Sequence, residues 1–211
     1  MMFVRSVMIP KNKAYVVQHT DCLKDVLHKM EEYQIDGMPV VNGSKYGGLV
    51  TLNKIYKAFF ESSLTRDDFL SSTLAGDVAT YKEDFIDEEE VFEKTFLTVK
   101  DRPLVAVVDR EGDLTGIVTR YDVIEQFQSA FGMKKKGVRI SFSASEAEGR
   151  IARLAEIAKQ FHENIISLAT FDETDKFVRR IVMKVEKQQN IDKFVQKLES
   201  SGFRVLDIKE D

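Results

Sequence analysis

Apolar positions along this 211-residue chain alternate between helical and strand periods, and that alternation predicts its elements. A short amphipathic opening ends at Pro10, which breaks any helix there, and residues 14–17 read as a brief strand. Thr20 is suited to cap a helix whose Leu23, Val26, Leu27 and Met30 share one face. A buried strand follows from Met38 to Val41, entered through Pro39, and Asn42-Gly43 is a turn signal. The return strand runs from Gly47 to Thr51 and leads into a helix carrying Ile55, Phe59 and Phe60.

The next stretch repeats this order. Phe85 and Ile86 match the early strand, and Asp87 with Glu90 has the spacing of a capping box for a helix bearing Val91, Thr95, Phe96 and Val99. Residues 104–109 match the buried strand, Glu111-Gly112 supplies the turn, and Gly116 to Thr119 matches Gly48 to Thr51. The offset is 67 residues at the strand and 68 at the glycine, so one residue has entered the turn. Several features repeating in register predict a duplication.

After residue 130 the pattern changes. Residues 131–137 (FGMKKKG) read as a linker whose lysines form a solvated hinge. Beyond it Val138, Ile140 and Phe142 alternate as a strand, and residues 146–161 form a helix with Ile151, Leu154, Ala155, Ala158 and Phe161 on its face. Residues 165–171 are a strand, 172–175 a turn, and Phe177, Arg179, Ile181, Met183 and Val185 mark the next strand. A helix with Ile191, Phe194, Val195 and Leu198 stops at Gly202, and the last strand starts at Phe203. The order βαββαβ implies a ferredoxin-like sheet with both helices on one face. The fold class is thus mixed α/β (α+β), divided as residues 1–66, 67–130, the linker, and 138–211.

Composition narrows the function. A net charge of −4 gives no basic field for nucleic acid, and no apolar run reaches the ~20 residues of a membrane span. The single Cys22 has no disulfide partner within the chain and reads as a packed residue of the first helix, so we expect a cytoplasmic protein. His19, His28 and His162 lie far apart without metal-ligand spacing, and there is no nucleophile elbow, phosphate loop or dinucleotide fingerprint. A non-catalytic protein without cofactor or metal is expected.

The candidate chemistry lies in residues 116–122 (GIVTRYD), where an apolar strand ends at the mouth of a helix. Free N–H groups there favour an anion, Thr119 and Arg120 can hold a phosphate, and Asp122 can accept from ribose hydroxyls. An isolated T-x-x-D reads first as a pair of helix caps and nothing more, and it is the earlier copy of the same pattern that raises the binding reading.

The doubled pattern resembles a pair of CBS domains, the tandem called a Bateman module. That resemblance implies two copies packed through their sheets, with a nucleotide held by the T-x-x-D of one copy and the early strand and pre-proline segment of the other. Carried onto this sequence, the site comprises Lys13, Ala14, Tyr15, Asp36, Gly37, Met38, Pro39, Thr119, Arg120, Tyr121 and Asp122. Tyr15 would flank a purine, and main chain near Gly37 would read an adenine edge. The first copy has Thr51 but Lys54 in place of the carboxylate, so one well-formed site is expected. The family's ligands include AMP, ATP, S-adenosylmethionine and cyclic di-AMP. The opening residues 7–10, with Ala14-Tyr15-Val16, Gly48-Leu49-Val50 and Val118-Thr119-Arg120, are similar to small Gram-positive CBS proteins that bind cyclic di-AMP, which ranks that ligand first and AMP or ATP second.

Residues 138–211 resemble an ACT domain, a module that in its family often binds amino acids between paired domains. Here the loop of residues 143–149 (SASEAEG) lacks the family's short acidic or amide residue beside the glycine. CBS pairs followed by an ACT domain resemble acetoin-utilisation-type regulators. The expectation is a homodimeric sensor that binds an adenine nucleotide and signals to an unidentified regulated protein, with no nucleic-acid or membrane partner. The competing readings are a dimerisation module with a vestigial cleft, an AMP, ATP or S-adenosylmethionine sensor, and an enzyme acting on an acyl or acetoin-related substrate.

Overall fold

The structure is a computed structural model that describes residues 3–172 and 177–211. It divides into two compact units, Met1–Ile124 and Glu125–Asp211.

The first unit holds both copies. After a 3-10 turn at Val4–Ser6 come strand β1 (Ile9–Pro10), a second 3-10 turn (Lys11–Lys13) and β2 (Val17–Gln18). Ala14 and Tyr15, expected in a strand, are instead extended coil, and the strand is confined to the two residues that can pair with Val40 and Val41. Helix α1 (Leu23–Tyr33) starts later than Thr20 predicts. Its N-cap is Cys22, whose thiol donates to Asp25 Oδ2 at 3.3 Å, so this half-buried cysteine sits at the helix mouth and not inside the packed face. Leu23, Val26, Leu27 and Met30 do form the buried stripe.

Strands β3 (Gly37–Asn42) and β4 (Lys45–Thr51) form the expected hairpin, and helix α2 (Leu52–Glu61) follows with Thr51 as a side-chain cap. Because β2 pairs only with Val40 and Val41, Pro39 removes no bond from that ladder. Two further helices, α3 (Arg66–Ser72) and α4 (Ala75–Val78), were not anticipated. They carry Phe69, Ala75 and Ala79 into the first copy's core although they lie beyond residue 66.

The second copy comprises β5 (Phe85–Asp87), α5 (Thr95–Thr98), β6 (Leu104–Val108), β7 (Leu114–Thr119) and α6 (Arg120–Ala130). The long helix predicted from Val91 to Val99 is only a 3-10 turn followed by the single turn of α5. Thr95 Oγ1 donates back to Phe92 O at 2.6 Å and Thr98 Oγ1 to Lys94 O, competing with a regular helix. The predicted capping box is absent as well: Asp87 ends β5, and its carboxylate accepts from Glu89 N. The two hairpins share one irregularity, a register shift at Val40/Val41 and again at Val107/Val108.

The copies exchange their leading segments. The strand β1 pairs antiparallel with β7, Ile9 opposite Ile117, so the sheet order is β1-β7-β6-β5, while the first copy's sheet is β2-β3-β4. Val4, Val7 and Met8 pack in the second copy's core. Reciprocally, Thr80 bridges Leu49 through paired main-chain bonds of 2.7 and 3.0 Å, and the α3–α4 segment before it packs on the first copy. Gly48 and Gly116, the matched glycines of the repeat, sit under these two crossings: a Cβ would lie 2.9 Å from Thr80 O at the first and 2.6 Å from Ile9 O at the second. Between the sheets, Leu49, Leu104 and Ile117 form one apolar seam, and Val41, Ala106 and Leu114 another. The hairpin turns are joined too, with Tyr46 N donating to Gly112 O, Leu114 N to Ser44 O, and Lys45 paired to Asp113 at 2.7 Å.

The second unit is the expected βαββαβ arrangement: β8 (Val138–Ser145), α7 (Arg150–Gln160), β9 (Ile165–Asp172), β10 (Val178–Val185), α8 (Ile191–Ser200) and β11 (Arg204–Glu210). The strand order is β11-β8-β10-β9, every neighbour antiparallel. Alternate strand residues Ile140, Phe142, Ile181, Met183 and Val185 meet Leu154, Ile157, Phe194 and Leu198 of the helices. The buried stripe of α7 is rotated from the predicted one: Ile157 is inside, whereas Ile151 and Ala155 face outward. Gly149 is the N-cap of α7 at φ +80°. Residues 131–137, expected as a linker, lie against this sheet, since Cβ atoms at Gly132 and Gly137 would meet Ile166 Cγ2 at 2.5 Å and Val185 O at 2.3 Å. Of the turn expected over 172–175, residues 173–175 lie outside the described residues.

Candidate functional site

The reciprocal pairing of the copies leaves a cleft of about 400 Å³ on the first unit. Three segments reach it. The 3-10 turn behind β1 brings Lys13, Ala14 and Tyr15, the approach to β3 brings Asp36 and Gly37, and the junction of β7 with α6 brings Thr119, Arg120 and Tyr121. Of the residues singled out from sequence, these eight converge. Met38, Pro39 and Asp122 do not line the cleft: Met38 is fully buried in the first copy's core, and Pro39 is buried in its strand. Ile9, Ile35, Pro103, Leu104 and Ile117 line it without having been anticipated. Ile9 escaped notice because β1 belongs to the other copy's sheet, a pairing that local periodicity does not carry.

The cleft's polar groups are held in place. Thr119 and Asp122 form a reciprocal cap: Asp122 Oδ2 accepts from Thr119 N at 2.8 Å and Thr119 Oγ1 at 2.6 Å, while Asp122 N donates to Thr119 Oγ1 at 3.1 Å. The capping role foreseen for this pair is therefore realised, and Oδ1 of Asp122 keeps its lone pairs for another donor. Arg120 donates from Nε to Val99 O and from Nη2 to Arg102 O, at 3.1 and 2.9 Å. Those bonds fix the guanidinium plane and leave its remaining N–H groups for an anion. Tyr15 stacks on Tyr33 with ring centroids 3.9 Å apart and planes 13° from parallel. Tyr33 thus braces Tyr15 at the rim. Its aromatic character was visible in the sequence, its neighbour was not.

Gly37 lies at a crowded point. A Cβ there would sit 2.9 Å from Pro103 and 3.2 Å from Val50 O, so only glycine lets this main chain lie against Pro103 in the cleft wall.

A second cleft of about 320 Å³ shares Asp36, Pro103 and Arg120 with the first and is lined in addition by Thr51, Asn53, Lys54, Tyr81 and Arg102. Lys54 stands where the carboxylate would be, but the cleft gains a cation that sequence reading missed. Arg102 is nine-tenths buried, lies over the Tyr81 ring at 4.1 Å and approaches Asp84 and Asp101 at 3.6 Å. Its Nε and Nη1 have no hydrogen-bond partner among the described residues. Burying such donors is costly unless an acceptor meets them, and the cleft sets three cations, Lys54, Arg102 and Arg120, against two carboxylates, Asp36 and Asp101. Among the described residues no group of three or more His, Cys, Asp or Glu side chains is placed to hold a metal ion. No helix of the described residues is long and apolar enough to cross a membrane.

Comparison with known proteins identifies the domains and the fold. The CBS domain profile matches residues 4–61 and 76–129, and the TTHA0829-like ACT domain profile matches residues 136–209. A curated relative, inosine-5'-monophosphate dehydrogenase of Methanocaldococcus jannaschii, is 26% identical over 191 residues, covering 90% of this chain and 35% of its own length. The chain thus spans about a third of that relative. Among solved structures, a CBS domain-containing protein from Bacillus anthracis aligns with TM-score 0.53 at 22% identity over 61% of this chain and 94% of its own. CbpB in complex with c-di-AMP aligns with TM-score 0.53 at 20% identity over 60% of this chain and 85% of that one. CBSX2 in complex with AMP aligns with TM-score 0.53 at 22% identity over 64% of this chain and all of that one. The doubled, segment-exchanged first unit and the βαββαβ second unit make this chain a member of the CBS-domain family, a CBS pair followed by a TTHA0829-like ACT domain.

Proposed function

We propose that the chain is a non-catalytic regulatory sensor that binds an adenine nucleotide, cyclic di-AMP first and AMP or ATP second, between its CBS copies. The observation that carries this reading is the convergence of Lys13–Tyr15, Asp36–Gly37 and Thr119–Tyr121 on one cleft. In it the apolar walls Ile9, Leu104 and Ile117 take the base and Arg120 with the start of α6 takes a phosphate, while Asp122, outside the lining, holds Thr119 in place and reaches a ribose hydroxyl only if its Oδ1 turns toward the cleft. A ligand with two phosphates gains from the neighbouring cleft, which Arg102 and Lys54 line together with Arg120. That favours cyclic di-AMP and ATP over AMP. The similarity to CbpB and CBSX2, whose structures hold c-di-AMP and AMP, supports the ligand class.

Binding would bias how two chains pair, or how the second unit is presented to a regulated protein. A ligand shifts such an equilibrium only by its differential affinity for the two states, about 1.4 kcal/mol per tenfold.

The second reading is a dimerisation module whose cleft no longer binds. Its support is the internal satisfaction of Thr119, Asp122 and Arg120 by one another and by main chain. Thermal-shift measurement with AMP, ADP, ATP, S-adenosylmethionine and cyclic di-AMP, followed by calorimetry, separates the two. Micromolar binding that Arg120→Ala and Asp122→Ala abolish supports the sensor; the absence of binding by every nucleotide removes it.

A further inference from the structure

The second unit carries a cavity unrelated to the nucleotide cleft. Its sheet buries one face under α7 and α8, and on the other face three cations stand in one row across three strands. Lys209 of β11 is opposite Arg139 of β8, and Arg139 is opposite Lys184 of β10. Like charges facing each other across strands are destabilising, and two of these lie on the sheet's central strands, where a solubilising role is served poorly. Lys184 is the extreme case, since only 5% of it is exposed. The row forms the floor of a cavity of about 390 Å³ whose remaining walls are largely apolar: Phe131 and Met133 from the segment folded over the sheet, and Val182, two residues before Lys184 on β10, with Ser167 and Asp211 beside them. That volume lies within the range of small-molecule pockets, about 300–1,000 Å³.

The contacts of Lys184 show what chemistry fits there. Its ammonium donates to Gly132 O at 3.1 Å and to the Asp211 carboxylate at 2.6 Å, and that carboxylate is held below the ordinary range by Lys184. Arg139 has Asp207 at 3.6 Å. Two carboxylates therefore face three cations. Asp211 has the geometry of an internal stand-in, a carboxylate at the cavity edge on a cation that the sheet has buried.

We propose that this cavity binds a small apolar carboxylate, whose carboxylate group takes the place of Asp211 on Lys184 and whose branched or aromatic body lies between Phe131, Met133 and Val182. The cationic row disfavours an α-ammonium group, so plain and keto carboxylates are bound in preference to amino acids. The inference is independent of the nucleotide reading, which concerns the other unit.

Calorimetric titration of the full chain with phenylacetate and 4-methyl-2-oxopentanoate tests it, with L-phenylalanine, L-leucine and inorganic phosphate as counterparts. The carboxylates are expected to saturate the protein, with the amino acids at least tenfold weaker and phosphate without effect. Asp211→Asn, which removes the competing carboxylate, is expected to tighten binding several-fold, whereas Lys184→Met and Arg139→Gln each weaken it at least tenfold. A purely structural ion pair predicts no saturation in any variant. If Lys184→Met fails to fold, Arg139→Gln and Asp211→Asn decide alone. Absence of carboxylate binding by both the parent chain and Asp211→Asn, or weaker binding by Asp211→Asn than by the parent, overturns the proposal.

Discussion

Replacing Gly116 by alanine tests the exchange of segments directly. The added methyl would lie 2.6 Å from Ile9 O, 2.9 Å from Met8 Sδ and 3.2 Å from Met8 Cγ. A carbon needs roughly 3.5 Å of separation, so β1 has to retreat by nearly ~1 Å. The methionine can swing aside, but the carbonyl belongs to a two-residue strand with no spare ladder to absorb the shift. Overpacking of this kind costs about 1–3 kcal/mol. Should β1 detach altogether, Val4, fully buried in the second copy's core, is exposed at a further cost of about 1.5–3 kcal/mol. Gly47→Ala is the control, because its nearest contact is Val40 O at an ordinary 3.4 Å, and its effect should stay within about 0.5 kcal/mol. Urea unfolding of the two variants, with amide hydrogen exchange at Ile9 and Ile117, measures both stability and the pairing itself. Gly116→Ala is also expected to weaken nucleotide binding, since Lys13 to Tyr15 follow β1 into the cleft. Equal urea midpoints for the two variants, with unchanged exchange at Ile117, would refute the reasoning.

Other outcomes follow from single groups. Glu163 is buried with neither carboxylate oxygen bonded among the described residues, and burial raises its pKa. A raised carboxylate pKa means the folded state holds its proton longer than the unfolded one, so stability falls as pH rises from the ordinary glutamate value through the raised one. Glu163→Gln should therefore raise the melting temperature at pH 7, by the equivalent of about 1 kcal/mol, and give no gain near pH 4. Asp113 has the opposite sign: Lys45 holds its carboxyl below the usual range, so the stabilisation is present above the ordinary aspartate value and lost as pH falls through the lowered one. Asp113→Asn should flatten that acid limb in a pH series of urea midpoints. Thr119→Val deletes the cap shared with Asp122 and should cost about 1 kcal/mol in denaturant unfolding, while also lowering nucleotide affinity.

How far the sequence could be read depended on the distance between partners. Elements set by neighbours in the chain were accessible: the stripe of α1, the hairpins closed at Gly43 and Gly112, and the βαββαβ order. The repeat suggested a duplication, and it was the resemblance to paired CBS domains that put Thr119 and Gly37 at a common cleft, where the structure brings them together. What failed was set across the fold. Ala14 and Tyr15 have strand-like composition, yet pairing reaches only Val17 and Gln18, and the freed residues line the cleft instead. The threonines of residues 95–98 turn a periodic segment into a broken helix by bonding backward. Arg102 reads as an ordinary surface residue before Pro103, and only the packing of Tyr81 against it shows a buried cation.

The exchanged leading segments, β1 one way and the Thr80 bridge the other, make the two halves of the first unit inseparable. Residues cut out as one half would lack their own outer lining and carry a loose arm meant for someone else. Such a fragment could complete itself only by borrowing from a second molecule, so an isolated half should assemble as an arm-trading pair or not fold at all. Joining the halves in one polypeptide turns that concentration-dependent trade into an intramolecular one, which keeps the crevice between them intact at any dilution.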